Sequence, residues 1–364
     1  MSERTVLVTG GCGFIGSNLV ALLRRERPDW RVLVVDNLTY AGNVENLEAM
    51  EKESGIELIL AGVADAETMN QLFELERPEY VVHMAAESHV DRSILNPAPF
   101  VVTNVIGTQV ILDAARNTGV ERLLHVSTDE VYGDTGLTED YSVEDSPMRA
   151  SSPYAASKAG GDLLAQAYHR TYGLPVVIAR PCNHYGPRQF PEKLIPFMIR
   201  NLLEGKPLPV YGDGRQRRDW LFVEDGARAL LSILEHGEIG SSYNIAAHHE
   251  RPNIQVITDL CNIVARHQGC PSRELTSSIC YVQDRPGHDV RYALDDSRLR
   301  AHTGWRPMVD LEDGLEQTVA WYLDHRGWLE QSLERFTPDY YDSVYLRGWR
   351  RDGAGAQVLH RHGT

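Results

Sequence analysis

The sequence predicts an α/β protein built on a doubly wound parallel sheet, with a smaller mixed α/β C-terminal domain. Three observations carry this. The chain opens with strand, glycine loop and helix; apolar runs then alternate with helical patterns as far as residue 179; and beyond residue 186 the elements shorten and Pro, Gly and Arg become frequent. A chain of 364 residues is long enough for one large α/β unit or two closely joined domains.

Thr5-Val6-Leu7-Val8-Thr9 reads as the first strand, and Asn18 to Arg25 has apolar positions at helical spacing. Between them Gly10, Gly13 and Gly16 are spaced G-x-x-G-x-x-G. Missing side chains there permit a tight turn and let a pyrophosphate approach the helix N-terminus, the opening of a Rossmann-like fold. The second strand, Val32 to Val35, ends in Asp36, an acid placed to accept hydrogen bonds from ribose hydroxyls and to repel a 2′-phosphate. NAD is therefore expected over NADP. Further strands are expected at Glu57 to Leu60, Tyr80 to Met84, Leu123 to Val126 and Val176 to Ala179, separated by helices such as Glu67 to Leu75 and Val105 to Arg116.

Later strands are expected at Trp220 to Val223 and Tyr243 to Ile245, the second returning to the main sheet. Residues 1–185, with roughly 215–255, would form the dinucleotide-binding part. Residues 186–214 and 256–330 would form the substrate part, and 331–364 a tail whose last dozen residues are expected to be disordered.

A net charge of −15 argues against a general nucleic-acid surface or an anionic membrane surface, so an anionic substrate needs its own local arginines. Five cysteines at wide spacing suggest free thiols in a reducing cytoplasm. His248-His249 lacks metal-ligand spacing, and no metal is expected. No apolar run is read as membrane-spanning, and a glycine loop beginning at residue 10 leaves no space for a signal peptide.

Thr128, Asp129 and Glu130 emerge at the carboxyl end of the strand Leu123 to Val126, where open α/β sheets bind ligands. Tyr154 and Lys158 follow, four apart on one helix face. A tyrosine, with a pKa near 10, is a poor base at neutral pH. A lysine cation ~5 Å away at an effective dielectric near 20 is worth roughly 3 kcal/mol, enough to lower the phenol by about two units. An isolated Tyr-x-x-x-Lys is more often an ordinary helix face, but here it follows a dinucleotide fingerprint.

With these motifs assembled, residues 5 to about 325 resemble the extended short-chain dehydrogenase/reductase family and, within it, the nucleotide-sugar 4,6-dehydratases acting on dTDP-glucose. The resemblance rests on the runs 36–43, 85–93, 128–133, 189–196, 214–225 and 284–289. It implies that Tyr154 is the base at the sugar C4 hydroxyl, Lys158 its modulator and ribose anchor, and Thr128 a partner of the C4 oxygen. Asp129 would be the acid at C6 and Glu130 the base at C5. Oxidation at C4 acidifies the C5 proton, so loss of the C6 hydroxyl needs a carboxylate and a neutral carboxylic acid side by side. The hydride would then return to C6.

The resemblance also implies NAD contacts at Gly10, Gly13, Phe14, Ile15, Gly16, Asp36, Asn37, Leu38, Thr39, Val63, Ala85, Ala86, Thr103, Tyr154, Lys158 and His184. The nucleotide sugar would meet Ser88, Thr128, Asn183, Lys193, Leu194, Pro209, Val210, Tyr211, Arg218, Asn253, Arg285 and His288, with Arg218 and Arg285 the diphosphate partners. A homodimer through the helices Phe100 to Ala115 and Tyr154 to Tyr172 is implied as well. The chain departs from the family at Gly62, where an aspartate is usual, at Cys182 and at His184. A nucleotide-sugar 4-epimerase or uronic-acid decarboxylase would keep Asp36, Tyr154 and Lys158 but have no use for the Asp129 and Glu130 pair. A non-catalytic NAD sensor would be expected to lose Tyr154 or Lys158.

Overall fold

Strands covered on both faces read as continuous apolar runs, and such runs form β1 (Arg4–Thr9), β2 (Trp30–Asp36), β4 (Tyr80–His83) and β5 (Arg122–Val126). The structure is a computed structural model that describes residues 4–47, 55–138 and 140–335. With β3 (Ile56–Leu60), β6 (Val176–Pro181) and β10 (Ser242–Ile245) these strands build a seven-stranded sheet of order β10-β6-β5-β4-β1-β2-β3. Every neighbouring pair in it is parallel. The segment Tyr243 to Ile245 does return to the main sheet, alongside β6. Strand order reverses between β1 and β4, and the loops leaving those strands open a crevice there.

Helices cover both faces. Phe14–Glu26 and Val223–His236 pack together on one, around Leu19, Leu23, Leu230 and Ile233; Ala66–Glu76, Ala98–Thr118 and Pro153–Tyr172 bury Phe73, Ile111 and Ala165 on the other. The helix expected from Val105 starts earlier, at Ala98, and passes through a π-helical turn at Val102–Ile106. It spans 21 residues and is long and apolar enough to cross a membrane, which corrects the expectation that no run has that length. Half of its apolar window is buried against the protein, as in a core helix.

A second sheet joins β7 (Asn183–Tyr185), β9 (Arg217–Phe222) and β11 (Glu250–Pro252), and a third pairs β8 (Leu208–Tyr211) with β12 (Ile279–Val282). The segment around Trp220, grouped by sequence with the dinucleotide-binding part, lies in this second sheet. Asp219 fixes it there by accepting amide hydrogens from Ala247, His248 and His249 at 2.8, 3.1 and 2.6 Å. A separate core of Phe197, Trp220, Leu260, Leu315 and Tyr322 stands behind these strands. Cys12, Cys182, Cys261, Cys270 and Cys280 are free thiols, as expected. The end of the tail lies outside the described residues.

Candidate active site

The glycine loop is built by close approaches that no side chain could tolerate. Gly10 has φ +73°, and a Cβ on it would sit 2.8 Å from the Ala85 Cα; a Cβ on Gly16 would sit 2.2 Å from the Gly10 carbonyl. Helix Phe14–Glu26 begins at Gly13 with no side-chain cap, which leaves its first-turn amides for an anion. Asp36 accepts the Cys12 and Leu38 amides at 2.9 and 2.8 Å, so its carboxylate holds the loop from behind while lining the cleft. Burial pushes its pKa up, and these amide bonds pull it down. The cradle and the acid fit an adenine dinucleotide without a 2′-phosphate.

The cleft, about 430 Å³, is lined by Gly10, Gly13, Phe14, Ile15, Gly16, Asp36, Asn37, Thr39, Val63, Ala85, Ala86 and Thr103 at one end. The other end holds Ser88, Thr128, Asp129, Glu130, Tyr154, Lys158, Asn183, His184 and Lys193. Leu38 stays outside it, its left-handed backbone (φ 46°) presenting its amide to Asp36. His184 is buried with Nδ1 3.1 Å from the Cys182 carbonyl, and burial lowers its pKa to about 4, so its ring is neutral.

At the catalytic end Thr128 caps a 3-10 turn, Asp129–Tyr132, accepting the Glu130 amide at 3.3 Å and donating to Asp129 Oδ1 at 3.1 Å. The other Asp129 oxygen is buried without a partner. Burial, then the neighbouring Glu130, push the Asp129 carboxyl up to about 8, so at neutral pH it is mostly the neutral acid. Glu130 is also raised by burial, but Arg285, Arg218 and Lys193 pull it back. The two carboxyl groups thus have different surroundings, as an acid and base pair requires.

Tyr154 departs from expectation. Burial first, and the Glu130 charge second, push its phenol up, against a lowering contribution from Thr128. Lys158 donates to the Val126 carbonyl at 2.7 Å, and burial lowers it to about 8. In the free chain burial and the Glu130 charge therefore outweigh whatever the lysine contributes, and the phenol is held above its ordinary value.

The substrate loops meet around Asp91. Tyr211 donates to Asp91 at 2.9 Å, the Arg285 guanidinium lies 3.5 Å from it, and the His288 ring packs edge-on against Tyr211 and reaches Asp284 at 2.6 Å. Arg218 donates to the Asp289 carbonyl at 3.0 Å and lies over the Tyr292 ring. Arg285 Nη1 and Asn253 Oδ1 are buried without partners. Val210 and Leu194 give their side chains to the smaller core and Pro209 is buried beside them, so the backbone is what Val210 can offer a ligand.

Sequence reasoning missed several supports. Asn104, in the π-helical turn, brackets Glu87 through its amide and carbonyl (3.0 and 2.9 Å) and donates to Ser157 at 2.9 Å, which in turn donates to the Tyr154 carbonyl at 2.7 Å. Glu192, which lines the cleft, pairs with Arg92 at 3.1 Å. Nothing in local spacing marks Asn104 or Glu192, since each acts on a segment more than 15 residues away; only the break in helical geometry hints at Asn104.

A glycine cradle feeding a Tyr-Lys helix face is the working arrangement of a short-chain dehydrogenase/reductase, here with a Thr-Asp-Glu turn added. A sequence profile described as GDP-mannose 4,6 dehydratase matches residues 7–318. The dTDP-glucose 4,6-dehydratase of Neisseria meningitidis serogroup B is 47% identical over 342 residues, 91% of this chain and 96% of that protein. Its Escherichia coli K12 counterpart is 45% identical, over 89% and 94%. Among solved structures, DesIV, the dTDP-glucose 4,6-dehydratase of Streptomyces venezuelae with NAD bound, superposes with TM-score 0.84 at 45% identity over 90% and 100% of the chains. The UDP-glucose 4-epimerase of Thermotoga maritima shares the scaffold at TM-score 0.79 and 32% identity over 88% and 99%. The chain belongs to the nucleotide-sugar 4,6-dehydratase family and, within it, groups with the dTDP-glucose 4,6-dehydratases.

Proposed function

We propose that the chain converts dTDP-glucose to dTDP-4-keto-6-deoxyglucose and water, with NAD as a recycled cofactor. The observation that carries this reading is the Asp129 and Glu130 pair, differently tuned, in the same cleft as Tyr154 and Lys158. Gly10, Gly13, Phe14, Ile15, Gly16, Asp36 and the 37–39 segment would hold the dinucleotide. Bound NAD supplies a hydride acceptor at C4, a donor at C6 and a positive charge that lowers the Tyr154 phenol.

Tyr154 takes the C4 hydroxyl proton while Thr128 hydrogen-bonds that oxygen and Lys158 anchors the ribose. Glu130 removes the C5 proton. Asp129, neutral at rest, gives its proton to the C6 hydroxyl, which leaves as water, so one proton is taken and one given across the C5–C6 bond. Arg218, Arg285 and Lys193 face the substrate's diphosphate end and also hold Glu130 toward its ionised form. The smaller domain's contribution is to exclude water from the intermediate. Incubation with dTDP-glucose followed by the absorbance of a 4-keto sugar in alkali tests this. An epimerase would instead yield dTDP-galactose, and a sensor no product.

We also infer a homodimer in a cytoplasmic setting. Val101, Val102, Ile106, Leu163 and Tyr172 are exposed apolar residues on helices Ala98–Thr118 and Pro153–Tyr172, a surface suited to a second copy. Five free thiols suit a reducing compartment.

A further inference from the structure

The last described helix, Arg326–Glu334, reaches back across the chain to the outside of the cofactor cradle. Trp328 Nε1 donates to Asn46 Oδ1 at 2.8 Å, across 282 residues of sequence, and Asn46 Nδ2 donates to the Cys12 carbonyl at 2.9 Å. Asn46 is 3% exposed, so water cannot stand in for either partner. Its amide can point only one way, because the reversed side chain would set donor against the indole N–H and acceptor against the carbonyl.

The Cys12 carbonyl also accepts from the Asn43 amide at 3.1 Å, while the Cys12 amide donates to Asp36 at 2.9 Å. That carbonyl shares a rigid peptide plane with the amide of Gly13, the residue that opens helix Phe14–Glu26. Its grip therefore sets the direction of the first-turn amides that face a pyrophosphate. A second bond from the same end of the chain lies nearer the cleft. Arg335 Nη1 donates at 2.7 Å to the carbonyl of Gly42, a cleft-lining residue on which a Cβ would lie 2.8 Å from Asp36 Oδ1.

The helix is tied to the opposite wall of the cleft as well. Trp328 packs edge-on against Trp321, with ring centroids 5.1 Å apart, and its ring lies 6.1 Å from that of Tyr322. Tyr322 is fully buried and donates to the carbonyl of Gln189, which lines the cleft and donates in turn to the His184 carbonyl at 3.0 Å. Beside Gln189, Phe190 meets Tyr40 edge-on at 5.5 Å. One aromatic group thus joins the 42–46 segment to the 189–190 segment.

We propose that the helix Arg326–Glu334 is a clasp that slows NAD release, with Trp328 a positioning residue for the cofactor that acts through Asn46 on the Cys12 carbonyl. The inference rests on the glycine loop as the dinucleotide site and is independent of the roles given to Asp129 and Glu130. A recycled cofactor need not leave between turnovers, and retention is what the clasp serves.

Trp328→Phe keeps an aromatic ring against Trp321 and Tyr322 but removes the indole N–H, leaving Asn46 Oδ1 without its donor. The fluorescence of bound NADH, chased with excess NAD in stopped flow, gives the dissociation rate, and calorimetry on cofactor-stripped protein gives the affinity. Dissociation should quicken about three- to tenfold, the effect of one lost buried hydrogen bond, and affinity should fall in step, while the KM for dTDP-glucose at saturating NAD stays within about twofold. Asn46→Ala should cause a comparable loss, and adding Trp328→Phe to it should cost little more, because the path is already cut.

Unchanged dissociation in Trp328→Phe, or losses that add in the double variant, overturns the proposal and leaves Trp328 as packing for the smaller core. Should Trp328→Phe fail to fold, Arg335→Ala, a change at an exposed side chain, carries the same measurement through the Gly42 carbonyl, and an unchanged rate there overturns the clasp. Gly16→Ala separates the two levels. If it binds NAD as the wild type does, the glycine loop is not the dinucleotide site; if it loses NAD while Trp328→Phe keeps the wild-type rate, the inference about the clasp alone fails.

Discussion

At the scale of single residues the chemistry follows from desolvation acting unequally on neighbours. Asp129 has one oxygen against Thr128 and one without a partner, and titrates near 8; Glu130, one residue on, faces three cations. An acid works in its protonated form, populated below its pKa, so the dehydration rate should decline as pH rises through 8, and the alkaline limb should be absent from Asp129→Asn. That variant keeps the shape of the side chain but cannot replace the acid, and should lose about 10²- to 10⁴-fold in turnover, measured by keto-sugar formation. Cofactor choice is also a single-residue matter. Asp36→Ser removes the charge that would meet a 2′-phosphate, and should narrow the preference for NAD over NADP by at least tenfold in a direct titration, whereas equal affinities in the wild type would contradict the reading of Asp36.

At the scale of elements the site depends on where backbones can touch. The glycine loop and the catalytic helix are the elements most sensitive to added atoms. Gly16→Ala would place a Cβ 2.2 Å from the Gly10 carbonyl, so the loop must open. NAD affinity measured by calorimetry should drop at least tenfold, with the far-ultraviolet spectrum unchanged. The glycine loop and strands β1 to β6 were legible because both depend on local pattern, a short continuous apolar run or a fixed glycine interval. The π-helical turn at Val102–Ile106 was not, since an extra residue in one turn is imposed by contacts of Asn104 with Glu87 and Ser157. The tuning of Tyr154 was misjudged for a similar reason. Spacing gives the neighbour on its own helix, Lys158, but not Glu130, which approaches from the end of β5.

At the scale of the whole molecule, the crevice at the reversal of strand order carries the dinucleotide cradle, and Arg218 and Arg285, from segments beyond residue 186, act electrostatically on Glu130 in it. Charge and fold are linked at Asp162, which is fully buried on helix Pro153–Tyr172 and accepts from Arg180 Nε at 2.7 Å. Its folded pKa is depressed from 3.8 to about 2, so its contribution to stability is present above 3.8 and lost as pH falls through 2. Acid unfolding followed by circular dichroism should therefore be displaced in Asp162→Asn. Self-association belongs to this scale too. Val102→Glu with Leu163→Glu puts charge on the exposed apolar helices, and should turn a dimer into a monomer in sedimentation at micromolar concentration; unchanged mass would contradict the assigned surface.

The central claim is that Glu130 removes the C5 proton after Tyr154 has opened C4 to oxidation. It is tested most directly by running dTDP-glucose with wild type and Glu130→Gln in deuterated water and following C5 by NMR. The account predicts a 4-keto-6-deoxy product carrying deuterium at C5 from the wild type. It predicts that Glu130→Gln loses about 10²- to 10⁴-fold in turnover and accumulates 4-keto-glucose nucleotide with its C5 proton retained. Glu130→Gln turning over within threefold of the wild type, or exchanging C5 at the wild-type rate, would contradict it.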